Sequence, residues 1–351
     1  MQHVDPVVDL GQRALRWVDR RFLRSPWNGP SSYLRTALAL SAALEQRHRE
    51  RPFDLVQSAN TSASGLFVKK RVGRPHVVRI SSHRATWFES DGRDSLGAKL
   101  MVWLERKSVR RGDLAYAPSQ FVADLCAATG WRGDVAVVRP PMFLETESAA
   151  SVPAEVPERY LVHFGQIGAR KGSDVIASAL IRVWREEPEF RMVWAGREIG
   201  KGEFASCHRL WGSHAEKVLW LGAIEKPLLY AIVQKAVAAV LPSRVDNLPN
   251  TVIESLLLGV PVIGSAGASI DELVEPGVCG ELAPIGDSEA LARLMLKAWR
   301  GEVSWVGAGF RRPLAMAEFE PEAAARRLLD FLDPRESALQ KNARANTLGR
   351  P

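Results

Sequence analysis

The sequence predicts an α/β protein built from two Rossmann-like βαβ domains that face an interdomain cleft. Two observations support this fold class. Short apolar segments of strand length alternate with helical or turn segments along most of the chain, as in parallel sheets whose strands are buried on both faces. A proline-rich stretch near the middle interrupts the alternation and would join the two domains.

The length of 351 residues leaves room for two domains of ordinary size. Hydrophobic residues make up 46% and charged residues 25% of the chain, a balance typical of globular proteins. We predict four parts: residues 1–140 as a first domain, 141–158 as the linker, 159–310 as a second domain, and 311–351 as a helix followed by a polar tail.

The first domain is predicted to begin with helices, because apolar residues recur at helical spacing over residues 10–22 and again over 33–49. Strands and helices then alternate. The predicted strands cover residues 53–58, 76–81, 114–117 and 135–138. The predicted helices between them cover residues 62–70, 97–110 and 119–129.

The second domain repeats the alternation and ends with a helix. Its predicted strands cover residues 160–164, 192–195, 218–221, 236–241 and 260–263, and its last helix covers residues 321–332. Open parallel sheets bind ligands beyond the carboxyl ends of their strands, at helix N-termini. We therefore expect the functional residues in the loops that lead from strands into helices.

Composition also limits the location of the protein. No segment approaches the roughly 18 apolar residues of a membrane-spanning helix, and the charged N-terminus does not resemble a secretory signal. Cys126, Cys207 and Cys279 are far apart and odd in number, so neither a disulfide framework nor a zinc site is predicted. A reducing, cytoplasmic location is expected.

The net charge of +7 is unevenly distributed. Residues 1–150 contain 23 Lys and Arg against 15 Asp and Glu, whereas the rest of the chain is nearly neutral. Nucleic acid, an anionic membrane surface or a phosphorylated acceptor could attract such a surface, and a merely solvated basic surface is the alternative. No nucleic-acid motif accompanies the charge, so no nucleic-acid partner is predicted.

The most informative segment covers residues 242–264, where a predicted strand is followed by a polar loop and a helix. Asp246 in the loop and Glu254 in the helix flank one helix N-terminus. Two carboxylates there can accept hydrogen bonds from adjacent hydroxyl groups, and free amides attract anions. Thr251 and Glu254 also have the spacing of a capping box, in which Glu254 would only bind its own helix start.

A second segment covers residues 160–174. A predicted strand ends, Gly165 and Gly168 turn the chain, and Arg170 and Lys171 precede a helix. Cations and helix amides can converge there on a diphosphate. The alternative is that both cations are solvated loop charges.

These segments resemble glycosyltransferase family 4, whose members have the GT-B fold. Asp246, seven residues and Glu254, followed by Gly-Val-Pro-Val at 259–262, are similar to the family's acidic-x7-Glu motif, in a sub-group with Asp in the first position. Lys171 matches the family's phosphate-binding lysine, whereas Gln166 replaces its arginine. The resemblance covers about residues 50–300.

A third segment, residues 267–280, is similar to the family's glycine-containing stretch after the next strand. Within it, Ser269 and Glu272 have the spacing of a second capping box, so a structural role is expected for Glu272. The family usually opens with a strand and a glycine-rich turn. Nothing before residue 50 fits that description.

The resemblance implies a retaining glycosyltransferase that moves a sugar from a nucleotide-diphosphate donor to a glycan or lipid-linked acceptor, in surface polysaccharide or glycolipid synthesis. It implies that Glu254 holds the donor ribose, Asp246 the transferred sugar and Lys171 the diphosphate. Further donor contacts are expected from Gly165, Gly168, Arg170, Asn247, Leu248, Asn250 and Thr251. His83 matches a histidine that often touches the sugar or the acceptor.

The resemblance implies neither a cofactor nor a metal, since Lys171, a nearby arginine and helix amides would neutralise the diphosphate. The basic first half would place the enzyme peripherally at the inner face of the plasma membrane. A non-catalytic nucleotide-sugar-binding protein and a nucleotide-sugar epimerase are the alternatives. A dehydrogenase is disfavoured, because no Gly-x-Gly-x-x-Gly follows a predicted strand.

Overall fold

The computed structural model describes residues 29–90, 92–144, 151–200 and 202–333. The chain divides between Val138 and Arg139 into two compact units, which we call the N-terminal and C-terminal units. Each unit contains one parallel β-sheet accompanied by helices.

The N-terminal sheet has four parallel strands in the order β1-β2-β3-β4. They are β1 (Val56–Ala59), β2 (His76–Arg79), β3 (Leu114–Ala117) and β4 (Ala136–Val137). Because the strands are parallel, all begin at one edge, here called the amino edge, and end at the opposite carboxyl edge. The helices are α1 (Pro30–Glu50), α2 (Arg84–Ser90), α3 (Leu96–Arg111) and α4 (Gln120–Ala128).

The C-terminal sheet has six parallel strands in the order β10-β9-β8-β5-β6-β7. They are β5 (Leu161–Phe164), β6 (Met192–Ala195), β7 (Val218–Trp220), β8 (Ala239–Leu241), β9 (Val262–Ser265) and β10 (Gly280–Ala283). The helices are α5 (Ser173–Glu186), α6 (Glu203–Trp211), α7 (Lys226–Lys235), α8 (Asn250–Leu257), α9 (Ser288–Arg300) and α10 (Pro321–Leu332). The strand order reverses beside β5, and such switch points bind ligands in α/β proteins.

Both faces of the C-terminal sheet are buried. Leu161 of β5 belongs to one apolar cluster and Val162 to the other, since successive strand residues point to opposite faces. On β6, Trp194 and Val193 divide between the same two clusters. This double burial explains why the strands are continuous apolar runs in the sequence.

Most predicted strands and helices are confirmed with shifted ends, but the helix predicted over residues 62–70 is wrong. Only a short 3-10 turn, Thr61–Ala63, forms there. Ser62 and Ala63 have φ angles of 59° and 51°, which no right-handed helix accommodates. The helix predicted over 10–22 and the polar tail lie outside the described residues. Residues 141–144 and 151–158 contain neither helix nor strand.

Candidate functional site

The loops that leave β5, β6 and β8 pack backbone against backbone at the carboxyl edge of the C-terminal sheet. A Cβ at Gly196 would lie 1.6 Å from the carbonyl oxygen of Gly165. A Cβ at Gly172 would lie 2.1 Å from the carbonyl oxygen of Pro242. Gly165 and Gly172 also have φ angles of 109° and 75°. Glycine is therefore required here both by the close approach and by the backbone conformation.

A buried histidine fixes the loop between β5 and α5. His163 Nδ1 lies 2.8 Å from the carbonyl oxygen of Val240, so Nδ1 carries the proton and donates it there. Nε2 is left to accept from Ser173 Oγ at 3.2 Å, and Ser173 Oγ accepts from the N–H of Gly168 at 2.9 Å. Burial lowers the pKa of His163 to about 4, which keeps the ring neutral at pH 7.

Two of the predicted site residues meet at this edge. Lys171 Nζ donates to Asp246 Oδ2, and the two side chains are 24% and 12% exposed. Asp246 Oδ1 accepts from the N–H of Asn247 at 3.0 Å. The lysine has three donors, so an ammonium held by one carboxylate can still bind an anion from the solvent side.

Arg244 links the loop that precedes α8 to the loop between β5 and α5. Its N–H donates to the carbonyl oxygen of Arg170 at 2.8 Å. Its guanidinium donates to both carboxylate oxygens of Asp174, at 2.6 and 2.7 Å, and to the carbonyl oxygen of Ala169 at 2.6 Å. This bidentate ion pair holds the loop before α8 against the loop before α5. Arg244 was not among the site residues predicted from the sequence.

Glu254 lies in α8 and is 7% exposed. Its Oε1 accepts from the Tyr230 hydroxyl at 3.1 Å and lies 3.4 Å from Lys226 Nζ, both on α7. No side chain caps α8, whose N-cap residue is Pro249. The capping-box interpretation of Thr251 and Glu254 is therefore wrong, because the carboxylate faces a neighbouring helix. Burial and the nearby carboxylate raise the pKa of Tyr230.

The other residues predicted to contact a donor surround the start of α8. Asn247 is buried and Leu248 packs against the apolar core, whereas Asn250 is exposed in the first turn. Thr251 Cγ2 would lie 3.0 Å from a Cβ at Gly165. The N-terminus of α8 therefore adjoins the loop that leaves β5.

The loop after β9 is strained and incompletely hydrogen bonded. Gly267, Ala268 and Ser269 have consecutive φ angles of 128°, 52° and 56°. The hydroxyls of Ser265 and Ser269 are buried and have no hydrogen-bond partner within the described ranges. Strained residues and unsatisfied polar groups cluster at ligand-binding sites. This loop is a further candidate for donor contact.

The capping box predicted for Ser269 and Glu272 is wrong, because residues 266–273 form bends and turns rather than a helix. Glu272 instead accepts from Arg139 at 3.1 Å. Arg139 Nε also lies 2.8 Å from Glu318. Both ion pairs hold the start of the C-terminal unit against its later segments, which is a structural role.

In the N-terminal unit, His83 follows β2 and is 1% exposed. Its Nδ1 and Nε2 each lie 2.9 Å from a threonine hydroxyl, of Thr86 and Thr129, and its ring packs on Trp131. Burial lowers the pKa of His83 to about 4. The threonine hydroxyls engage both ring nitrogens, so a direct role of His83 with a sugar stays a prediction.

Arg84, beside His83, binds a carboxylate that the sequence analysis did not identify. Glu105 of α3 is fully buried and accepts from Arg84 Nε at 2.7 Å and from the N–H of Ser62 at 3.0 Å. Burial raises the pKa of Glu105, while Arg84 opposes the shift. The carboxylate anchors the strained turn at Ser62. The sequence did contain a signal for this buried carboxylate, because Glu105 lies on the apolar face of the helix predicted over residues 97–110.

A cavity of about 660 Å³ lies between α2 and α3. Phe88, Val102 and Trp103 form apolar walls. Charged residues of both signs complete the lining, which are Glu89, Arg93, Asp94, Lys99 and Arg106. Trp103 is 44% exposed although it is a large aromatic side chain. The volume and mixed lining are typical of small-molecule sites.

Three further properties concern only the residues that the structure describes. No group of three or more His, Cys, Asp or Glu side chains is placed to hold a metal ion. No helix there has the length and apolar content needed to cross a bilayer. The three cysteines are buried free thiols.

Two family models match the chain. Residues 158–300 match the model described as Glycosyl transferases group 1. Residues 4–141 match the model described as Glycosyl transferase 4-like domain. Together the matched segments cover most of both units.

Curated relatives are similar over part of their length. The amylovoran biosynthesis glycosyltransferase AmsK of Erwinia amylovora is 35% identical over 89 residues, which are 25% of this chain and 22% of that protein. The lipopolysaccharide core biosynthesis mannosyltransferase LpcC of Rhizobium leguminosarum bv. viciae is 27% identical over 165 residues, 46% of either chain. The chain thus spans less than half the length of these two relatives.

Solved structures are similar over most of the chain. Anabaena Alr3699/HepE in complex with UDP and glucose has a TM-score of 0.66 at 18% identity, over 84% of this chain and 80% of that one. The apo form of the lipopolysaccharide outer core galactosyltransferase WaaB has a TM-score of 0.61 at 18% identity, over 86% and 80%. At this identity the likeness concerns the fold alone.

Proposed function

Since the chain belongs to glycosyltransferase family 4, the group 1 glycosyltransferases of GT-B fold, we propose that it transfers a sugar from a nucleotide-diphosphate donor with retention of anomeric configuration. The observation that carries the proposal is the contact between Lys171 and Asp246 at the carboxyl edge, with Glu254 buried on the helix that follows. A cation and two carboxylates beside helix N-termini suit a diphosphate flanked by two sets of hydroxyls.

We assign one role to each group. Lys171 and the amides at the start of α5 bind the diphosphate. Asp246 accepts from hydroxyls of the transferred sugar while it orients Lys171. Glu254 accepts from the ribose hydroxyls through Oε2, because Oε1 is engaged by Tyr230 and Lys226, and Oε2 has no partner within the described residues.

In the proposed reaction the bond between the anomeric carbon and the β-phosphate oxygen breaks. A new bond forms between that carbon and an acceptor hydroxyl oxygen, whose proton passes to the departing nucleoside diphosphate. Negative charge grows on the diphosphate as the bond breaks, and Lys171 is placed to stabilise it. No covalent nucleophile is assigned, and metal independence is a prediction that a chelator titration tests.

We propose the N-terminal unit as the acceptor side, with the cavity between α2 and α3 as a sugar or lipid contact through Trp103. The similarity to the amylovoran glycosyltransferase AmsK and the lipopolysaccharide core mannosyltransferase LpcC supports an acceptor of surface polysaccharide or lipopolysaccharide type. UDP and glucose in the HepE complex support a nucleotide-sugar donor. An anionic membrane at the cytoplasmic face is a further proposed partner.

The test is a transfer assay with the full chain, a panel of nucleotide sugars and lipid-linked or glycan acceptors. Glu254→Ala and Lys171→Ala are expected to abolish transfer. Glu187→Ala and Lys297→Ala are the matched controls, since Glu187 follows α5 and Lys297 lies near the end of α9, both at the amino edge. Near-normal turnover of both site variants would contradict the assignment.

Two other outcomes separate the alternatives. Formation of an epimeric sugar nucleotide without acceptor would identify an epimerase. Tight donor binding with neither hydrolysis nor transfer to any acceptor would identify a non-catalytic binding protein.

A further inference from the structure

The parallel topology of the N-terminal unit gathers basic residues at the amino edge of its sheet. Every segment that leads into a strand ends at this edge. The segments before β2 and β3 contribute six cations, which are Lys69, Lys70, Arg71, Arg74, Arg110 and Arg111. Part of the excess charge of the first half therefore lies at this edge of the sheet.

Few carboxylates neutralise this cluster, which we call the amino-edge cluster. Glu45 of α1 binds both Arg71 and Arg74. Asp113 lies 3.1 Å from Lys70. Five exposed cations and the buried Arg74 thus face two carboxylates, and neither Lys69 nor Arg111 forms an ion pair within the described residues.

An apolar side chain projects from the middle of the cluster. Arg74 N–H donates to the carbonyl oxygen of Arg71 at 3.2 Å, which closes a turn around Val72 and Gly73. Gly73 has a φ of 74°, as such a turn requires. Val72 is fully exposed, at 107%. A branched aliphatic side chain at an exposed tip, flanked by cations, favours contact with a surface that is both anionic and partly apolar.

The amino edge is the wrong edge for substrate. Ligands of parallel sheets bind at the carboxyl ends of strands. The cluster therefore serves neither the donor nor the acceptor.

We propose that the amino-edge cluster docks the N-terminal unit onto anionic lipid headgroups, with Val72 entering the headgroup layer. The proposal builds on the membrane partner of the proposed function and gives that partner a surface. It does not depend on which sugar is transferred. Each cation near a negatively charged bilayer contributes about 1 kcal/mol, an effect that salt screens.

The test is flotation of the full chain with vesicles of phosphatidylglycerol mixed with phosphatidylcholine, compared with vesicles of phosphatidylcholine alone. Lys69→Gln combined with Arg111→Gln is expected to lower the partition coefficient about 25-fold, or about fivefold per cation. Val72→Ser is expected to lower it at least about fourfold, because the loss of one buried carbon alone gives that factor and a hydroxyl replaces the second methyl group. The cations that bind Glu45 or Asp113 are left intact.

The control is Lys235→Gln combined with Lys297→Gln, which changes the net charge equally in the C-terminal unit and should leave partition unchanged. An equal loss in the control, or no loss in the Lys69/Arg111 variant, would overturn the proposal. Binding to heparin that matches vesicle binding and ignores Val72→Ser would also overturn it and indicate an acidic macromolecule. Transfer to a water-soluble acceptor reports on the proposed function separately and should be unaffected by these variants.

Discussion

The substitution Glu254→Gln isolates the charge of the carboxylate that we assign to the donor ribose. The amide has nearly the same volume, and its carbonyl oxygen can still accept from the Tyr230 hydroxyl, 3.1 Å from Oε1 in the native protein. Only a weak ion pair is lost, since Lys226 lies 3.4 Å away and its side chain is 54% exposed. We therefore expect the unfolding midpoint to change little.

The effect on donor binding should be much larger. A hydrogen bond to a charged acceptor contributes about 1.5–3 kcal/mol. The amide NH2 that replaces Oε2 cannot accept from a ribose hydroxyl and can only donate a neutral hydrogen bond to its oxygen. Donor affinity is thus expected to fall about 10- to 150-fold. Tyr230→Phe removes only one hydrogen-bond donor that orients Glu254. The value of about 0.5–1.5 kcal/mol for an ordinary hydrogen bond predicts that donor affinity falls about two- to tenfold.

The assay is calorimetric titration of the bound nucleotide sugar into each variant, with unfolding measured in parallel. Glu187→Gln is the matched control, because that carboxylate pairs with Arg300 at 2.7 Å beyond the other end of α5. Unchanged donor affinity in Glu254→Gln, or a loss equalled by the control, would refute the assignment of Glu254.

Three further perturbations probe other parts of the structure. Gly172→Ala places a methyl group 2.1 Å from the Pro242 carbonyl oxygen. It should destabilise the C-terminal unit by about 2–4 kcal/mol in urea unfolding and weaken donor binding. The control Gly301→Ala, at a φ of 73° with no neighbour within 4 Å, should destabilise the unit by about 1 kcal/mol and leave donor binding unchanged. The unfolded state protonates His163 at a pKa near 6.5 and the folded state only at about 4, so His163 should contribute a loss of stability of about 1.4 kcal/mol per pH unit as the pH drops through that window; a slope unchanged in His163→Gln would contradict this. Trp103→Ala should raise the acceptor KM several-fold without altering donor affinity, and an unchanged KM would remove the cavity from the acceptor site.

The sequence was sufficient for the fold because parallel strands buried on both faces leave continuous apolar runs. It failed at residues 62–70, where apolar spacing favours a helix but Ser62 and Ala63 adopt left-handed conformations. That conformation depends on the buried carboxylate of Glu105, which accepts the Ser62 N–H from a distant helix. No local pattern reports such a contact.

The candidate site was likewise predicted only in part from the sequence. The spacing of Asp246 and Glu254 located both carboxylates, and Lys171 was found from its glycine-flanked loop. A capping box and a ligand-binding pair share one spacing, however, so only the contact of Glu254 with Tyr230 on another helix decides against capping. The charge excess was likewise visible in the composition, but the position of part of it at the amino edge follows from the strand topology.

The most direct test of the central claim is a thermal-shift screen of the full chain with UDP-, GDP-, ADP- and TDP-sugars. A ligand that binds only the folded state stabilises it by about 2.7 kcal/mol at a hundredfold excess over Kd. We predict that at least one of these sugars raises the unfolding midpoint of the native protein and that Lys171→Ala and Asp246→Asn abolish the shift. No shift with any of the sugars, or a shift that persists in both variants, would contradict the donor site at the carboxyl edge.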